Sequence, residues 1–232
     1  MLAVMSEPQD DRHRLLTLAV HELRTPLNVA AGYLKMLVDR RTGPLTDQQL
    51  QLAGRAGDSL DALTRLISDL AEIARLESGT LTLASRRHDL LAVAAEVVAA
   101  FVPPQESRVQ AVLQAGPGPY PIAADVERLV RSLRGCLAAL AREVPLDATI
   151  VASVTGEGSP TATVTLAPAD LLPVLDPDAD AWGPADEWRG GTGLELPLAR
   201  RVIELHGGRL LSPPGPERRP ALMLCLPLAA GA

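Results

Sequence analysis

The chain has 232 residues, 47% of them hydrophobic and 22% charged, and a formal charge of −6. This is the composition of a soluble globular protein long enough for two modest domains, and an acidic balance without a block of like charges argues against a nucleic-acid partner. No run of about 18 apolar residues occurs, and the first residues, MLAVMSEPQDDRHR, are polar where a leader needs an apolar core, so a cytoplasmic location without membrane insertion is expected.

After a tail over residues 1–10, a first helix is expected from about Asp11 to Arg40. Its apolar positions Leu16, Val20, Leu23, Leu27, Ala30, Leu34 and Leu37 recur at spacings of four and three, the pattern of a helix packed on other helices. His21, Thr25, Asn28 and Lys35 fall away from that seam, and His21 and Thr25 stand one turn apart on one face. Residues 21–27, HELRTPL, thus set an imidazole, a carboxylate and a hydroxyl close together in solvent. An unprotonated imidazole nitrogen can carry a phosphoryl group if a neighbour fixes the tautomer, and Glu22 suits that task. The Thr25 hydroxyl can hold a water in line with a partner's aspartyl phosphate. Pro26 removes a donor in mid-helix and crowds the carbonyl of Glu22, which predicts a bend there.

Residues 41–46 supply a turn with Thr46 as cap, and a second helix is expected from Asp47 to about Glu77. It carries Leu50, Ala53, Gly57, Leu60, Thr64, Ile67, Ala71 and Ala74 on one stripe and Leu63, Leu66, Leu70 and Ile73 on its flank. A lone hairpin cannot bury stripes this wide, so pairing of two copies into a four-helix bundle is expected.

The period changes after Gly79. Thr80–Leu83 alternates as a strand, Asp89 reads as the cap of a helix to about Phe101, and a Pro/Gly-rich loop follows through Pro121. A helix from Asp125 to about Glu143 leads to a hairpin of Thr149–Val154 and Thr161–Leu166, turned at residues 156–159. Residues 171–191 read as loop. A helix from Leu196 to Leu205 stops at Gly207-Gly208, and strands follow at Arg209–Leu211 and Ala221–Leu226. Cys136 and Cys225, far apart in apolar segments, read as small buried hydrophobes, and no metal site is expected. His13 and His88 read as surface residues, and His206 as a cation at a helix C-terminus.

With its HELRTPL motif and the ending LAEIARLESG over residues 70–79, the stretch from 11 to 77 resembles the dimerisation and phosphoacceptor domain of bacterial sensor histidine kinases. The resemblance implies that His21 is the phosphorylated residue, Glu22 its acid–base helper and Thr25 the residue used in dephosphorylating a response regulator. It also implies homodimerisation and a bundle face, carrying Arg24, Asn28 and Lys35, that docks receiver domains. The remainder resembles the ATP-binding domain of the same kinases in its order of elements. The expected organisation is therefore a phosphoacceptor hairpin over 11–78, forming a dimeric four-helix bundle, followed over 79–232 by a degenerate histidine-kinase-like ATPase α/β sandwich.

Against that family's pattern, the two positions of the asparagine box that should hold Mg²⁺ are Gly135 and Ala139. Asp170 is displaced by about three positions from the place of the adenine-reading aspartate. A glycine box survives in part as Gly191-Thr192-Gly193, but Glu195 replaces one of its glycines. No ATP or Mg²⁺ cofactor is expected. The leading expectation is a histidine phosphotransferase exchanging a phosphoryl group between His21 and receiver aspartates. The alternatives are a pseudokinase or phosphatase that regulates a partner kinase or receiver, and an atypical ATP-dependent kinase.

Overall fold

The computed structural model describes residues 8–79, 82–104, 107–156, 158–175, 182–185, 193–213 and 219–229, with side chains from Leu15 onward in the first helix. The chain divides into two compact units, residues 1–81 and 82–232.

The first unit is a helical hairpin of α1 (Pro8–Val38) and α2 (Asp47–Glu77). The start of α2 is fixed by a capping box, in which Thr46 Oγ1 accepts from the Gln49 amide and Gln49 Oε1 accepts from the Thr46 amide. Helix α1 begins three residues before its expected start and runs uninterrupted through Pro26. It ends in a Schellman motif, with the Arg40 amide donating to Leu37 O at 3.0 Å and the Arg41 amide to Met36 O at 3.0 Å. Arg40 takes the left-handed conformation that this motif demands, at φ 58°. A side chain there costs about 1–2 kcal/mol, partly offset by the greater unfolded-state freedom of glycine. Arg40→Gly is therefore expected to stabilise the hairpin by up to about 1 kcal/mol, read as a higher denaturation midpoint.

The seam of the hairpin is narrower than the heptad spacing predicts. Val20 and Leu27 are buried against Ile67, with Leu60, Leu70 and Ala71 packed around them. Leu23, Ala30 and Leu37, expected in the same seam, are exposed, as are Leu63 and Leu66 of α2. A second exposed row on α1 holds Leu15, Leu18, Val29, Tyr33 and Met36. One antiparallel neighbour covers only about a third of a helix circumference, and α1 is apolar around more than that.

The second unit contains β1 (Arg86–Asp89), α3 (Leu90–Ala99), β2 (Gln110–Ala115), β3 (Pro121–Ala124), α4 (Val126–Ala141), β4 (Thr149–Thr155), β5 (Thr161–Pro168), a 3-10 turn (Leu172–Val174), β6 (Gly183–Pro184), α5 (Glu195–Leu205), β7 (Arg209–Ser212) and β8 (Leu222–Pro227). Six strands form one sheet in the order β2-β4-β5-β8-β7-β6, parallel only between β2 and β4. Strands β1 and β3 form a separate antiparallel pair, with His88 opposite Ile122. Alternate residues of the central strands, among them Ile150, Val154, Val164, Leu222, Leu224 and Leu226, bury one face of the sheet. Leu90 and Val93 of α3, Leu129, Leu133, Leu137 and Leu140 of α4, and Ile203 of α5 meet them at helical spacing. This two-layer α/β sandwich follows the hairpin, as the element order predicts.

Three expectations are corrected here. Residues 80–81 lie outside the described residues, Thr82 and Leu83 are not in a strand, and the first strand is Arg86–Asp89. The segment read as a Pro/Gly loop contains β2, and β3 begins at its last residue, Pro121. The stretch after Leu171 includes the 3-10 turn and β6, and β6 adds to the sheet by pairing Gly183 with Ser212. Asp89 does cap α3, its Oδ1 accepting from the Leu91 amide at 3.1 Å. Cys136 is fully buried on α4 and Cys225 half-buried on β8; burial pushes the Cys136 thiol up to about 12 and raises that of Cys225.

Candidate functional site

Val20 and Leu27 are driven into the hairpin seam, and the residues between them are thereby turned outward. His21 is 79% exposed and Glu22 71%, with Glu22 Oε1 at 3.5 Å from His21 Nδ1. A carboxylate on Nδ1 favours the tautomer in which Nε2 is the nucleophilic nitrogen. Thr25, one turn on, is exposed, as are Arg24, Asn28 and Lys35. The hairpin thus places all six predicted residues on accessible surface of one helix. The carbonyl of Glu22 has no amide to accept from at Pro26.

In the second unit, the predicted glycine box is described only from Gly193 onward, since Gly191 lies outside the described residues. Glu195 opens α5, and its carboxylate folds back over Gly193, into the space a Cβ at that position would take. The same side chain lies against α4, where a Cβ on Gly135 would sit 3.0 Å from Glu195 Cβ. Its Oε2 pairs with Arg142 Nη2 at 3.3 Å. Sequence reading missed Arg142, because a partner 53 residues away leaves no local signal.

The two positions read as the asparagine box carry no side-chain oxygen for a metal. Gly135 has no side chain and Ala139 is a buried methyl, so neither offers the metal an oxygen. A fixed carboxylate beside Gly193 opposes an approaching phosphate. Asp170 lies elsewhere, at a cleft of about 510 Å³ lined by Asp147, Thr149 and Arg219.

His206 differs from expectation. It is buried, its Nδ1 is 2.7 Å from Val202 O, and its Nε2 accepts from the Asp125 amide at 2.9 Å. A carbonyl can only accept, so Nδ1 carries the proton and the ring is the neutral tautomer, joined to a neighbouring helix rather than serving as a surface cation at a helix end.

Comparison with known proteins agrees with this architecture. Residues 11–79 match the His Kinase A (phospho-acceptor) domain. The histidine protein kinase DivJ of Caulobacter vibrioides is 28% identical over 207 residues, 86% of this chain and 34% of DivJ. The signal transduction histidine-protein kinase BaeS of Escherichia coli is 25% identical over 239 aligned positions, 98% of this chain and 49% of BaeS. The chain thus spans about a third to a half of the length of these relatives. Among solved structures, full-length ShkA in complex with AMPPNP superposes with a TM-score of 0.69 at 21% identity, covering 94% of this chain and 46% of ShkA. The Acinetobacter baumannii histidine kinase AdeS gives 0.57 at 18% identity, covering 90% of this chain and 98% of the AdeS chain. Residues 11–79 are thus a His Kinase A phosphoacceptor domain, and along most of its length the chain is similar to two-component sensor histidine kinases. No helix among the described residues is long and apolar enough to cross a membrane.

Proposed function

We propose that the chain is a histidine phosphotransferase that takes a phosphoryl group onto His21 from a receiver aspartate and returns it to another, without ATP of its own. The observation that carries this reading is the position of the Glu195 carboxylate, held by Arg142 beside Gly193 and Gly135, while His21 stands exposed with Glu22 at its Nδ1. Acceptor chemistry is complete and donor chemistry is not. In the transfer step, His21 Nε2 attacks phosphorus, a P–N bond forms as the P–O bond to the aspartate breaks, and the receiver carboxylate leaves. Positive charge that develops on the ring is stabilised by Glu22 through Nδ1–H.

Homodimerisation belongs to the same proposal. The exposed row Leu15, Leu18, Val29, Tyr33 and Met36 is what a second hairpin covers in a four-helix bundle. Arg24, Asn28 and Lys35, beside His21 on α1, are assigned to receiver docking.

Incubation with labelled ATP and Mg²⁺ is expected to leave the chain unlabelled, whereas a phosphorylated receiver labels it at His21. Robust labelling from ATP that His21→Ala removes would overturn the proposal in favour of an autokinase. Thr25→Ala is expected to slow receiver dephosphorylation while labelling of His21 persists. An unchanged dephosphorylation rate would take Thr25 out of the mechanism.

A further inference from the structure

The second unit begins at Thr82, and two residues further on its backbone is tied to a buried carboxylate. The Ala84 amide donates to Asp125 Oδ2 at 3.1 Å, across 41 residues of sequence. Asp125 is only 3% exposed and sits between β3 and α4. Its Oδ1 caps α4 by accepting from the Arg128 amide at 3.4 Å, and the Arg128 guanidinium pairs with Oδ2. Its own amide donates to His206 Nε2, and its carbonyl accepts from the Leu129 amide at 3.0 Å. Burial opposes ionisation of this carboxyl, but the amides of Ala84 and Arg128 and the guanidinium outweigh it and hold it below the usual carboxylate range.

Capping a helix takes one carboxylate oxygen, and here the second oxygen and the amide are committed to two other segments. The segment 82–85 is mostly exposed, with Leu83 alone half-buried, so packing does little to hold it. His206 accepts the Asp125 amide in one tautomer only, because its Nδ1–H is spent on Val202 O at the end of α5.

We propose that Asp125 is a conformational latch which, held between the Ala84 amide and the His206 ring, couples the segment leaving the hairpin to the start of α4 and the end of α5. Displacement of residues 82–85 takes a donor from Oδ2, shifts the carboxylate toward Arg128, and loosens the Asp125 amide from His206. A movement of residues 82–85 then reaches two helix ends of the second unit through one residue. Energetic coupling of this kind is reciprocal, so loosening either helix end also frees the segment.

Hydrogen exchange on the full chain tests the latch. Ala84→Pro deletes the amide that Oδ2 accepts and leaves Asp125 and His206 intact. It is expected to speed exchange at His206, Gly207 and Gly208 at least threefold, along with Arg128 and Leu129, and to leave the central strands unchanged. Asp125→Asn, which keeps the volume but not the charge, is expected to speed exchange of the Ala84 amide and of both helix ends together by tenfold or more. Asp89→Asn, at the cap of α3, serves as control and is expected to leave these amides alone. Acceleration confined to residues 82–86 in Ala84→Pro, or a protected Ala84 amide in Asp125→Asn, overturns the proposal, as does a uniform increase across the unit. If Asp125→Asn fails to fold, Ala84→Pro alone decides.

Discussion

His21→Ala is expected to abolish phosphoryl transfer from a phosphorylated receiver, with acid-labile label on the chain falling to background. The loss is interpretable because His21 is 79% exposed and packs against nothing in the hairpin seam. Alanine is the better helix former by about 0.5 kcal/mol, so the variant folds at least as well as the parent. Circular dichroism is therefore expected to stay unchanged, and the denaturation midpoint to hold or rise slightly, while transfer disappears. Glu22→Ala gives the graded comparison. Removing a group that only orients the ring and stabilises its charge is expected to slow transfer by about a hundredfold and leave His21 as the labelled residue. Persistent labelling in His21→Ala would show that another side chain carries the phosphoryl group.

The largest stability effect is expected at Gly208, which joins α5 to β7. A Cβ there overlaps the carbonyl oxygen of Cys225, in the backbone of β8, and lies 2.9 Å from Leu226 Cδ2 and 3.0 Å from Ile203 Cγ2. Side chains can rotate away from a methyl group, but the carbonyl of a strand hydrogen-bonded on both sides cannot. Gly208→Ala is expected to destabilise the second unit by about 3 kcal/mol, at the upper end of overpacking effects, or to prevent its folding. Gly54→Ala on α2 is the contrasting substitution. Nothing lies within 4 Å of a Cβ at that position, so helix propensity alone acts and the hairpin gains about 1 kcal/mol. Urea unfolding followed separately for the two units distinguishes these effects, and an unshifted midpoint for Gly208→Ala would contradict the packing described.

What could be read from the sequence depended on whether the deciding interaction was local. The capping box at Thr46, the cap at Asp89 and the helix Val126–Ala141 involve residues within a few positions of each other, and each stands where its pattern placed it. Arg86-Arg87-His88-Asp89 has no apolar alternation and becomes a strand because Pro121–Ala124 pairs with it from more than thirty residues away. Gln110–Ala115, rich in Ala and Gln, is likewise ordered by its parallel partner β4. Helical periodicity correctly picked Val20 and Leu27 but overestimated the seam, since one partner helix cannot cover every heptad position of a helix that is apolar on two sides. Within the site, the HELRTPL motif exposed all its chemistry in seven consecutive residues. The contact of Glu195 with Arg142 was invisible because it joins two helices across the sandwich layer.

The two thiols have a practical side. With Cys136 enclosed and its ionisation pushed up to about 12, and Cys225 half-enclosed and also raised, neither is a ready thiolate at neutral pH. Oxidants acting through a thiolate thus have little purchase on these two cysteines, and the same inertness makes them a quiet background for thiol-directed labelling. A single cysteine introduced on the open surface of α2 would outpace both native thiols in reaction with a maleimide probe, so the hairpin can be watched in the otherwise unaltered protein.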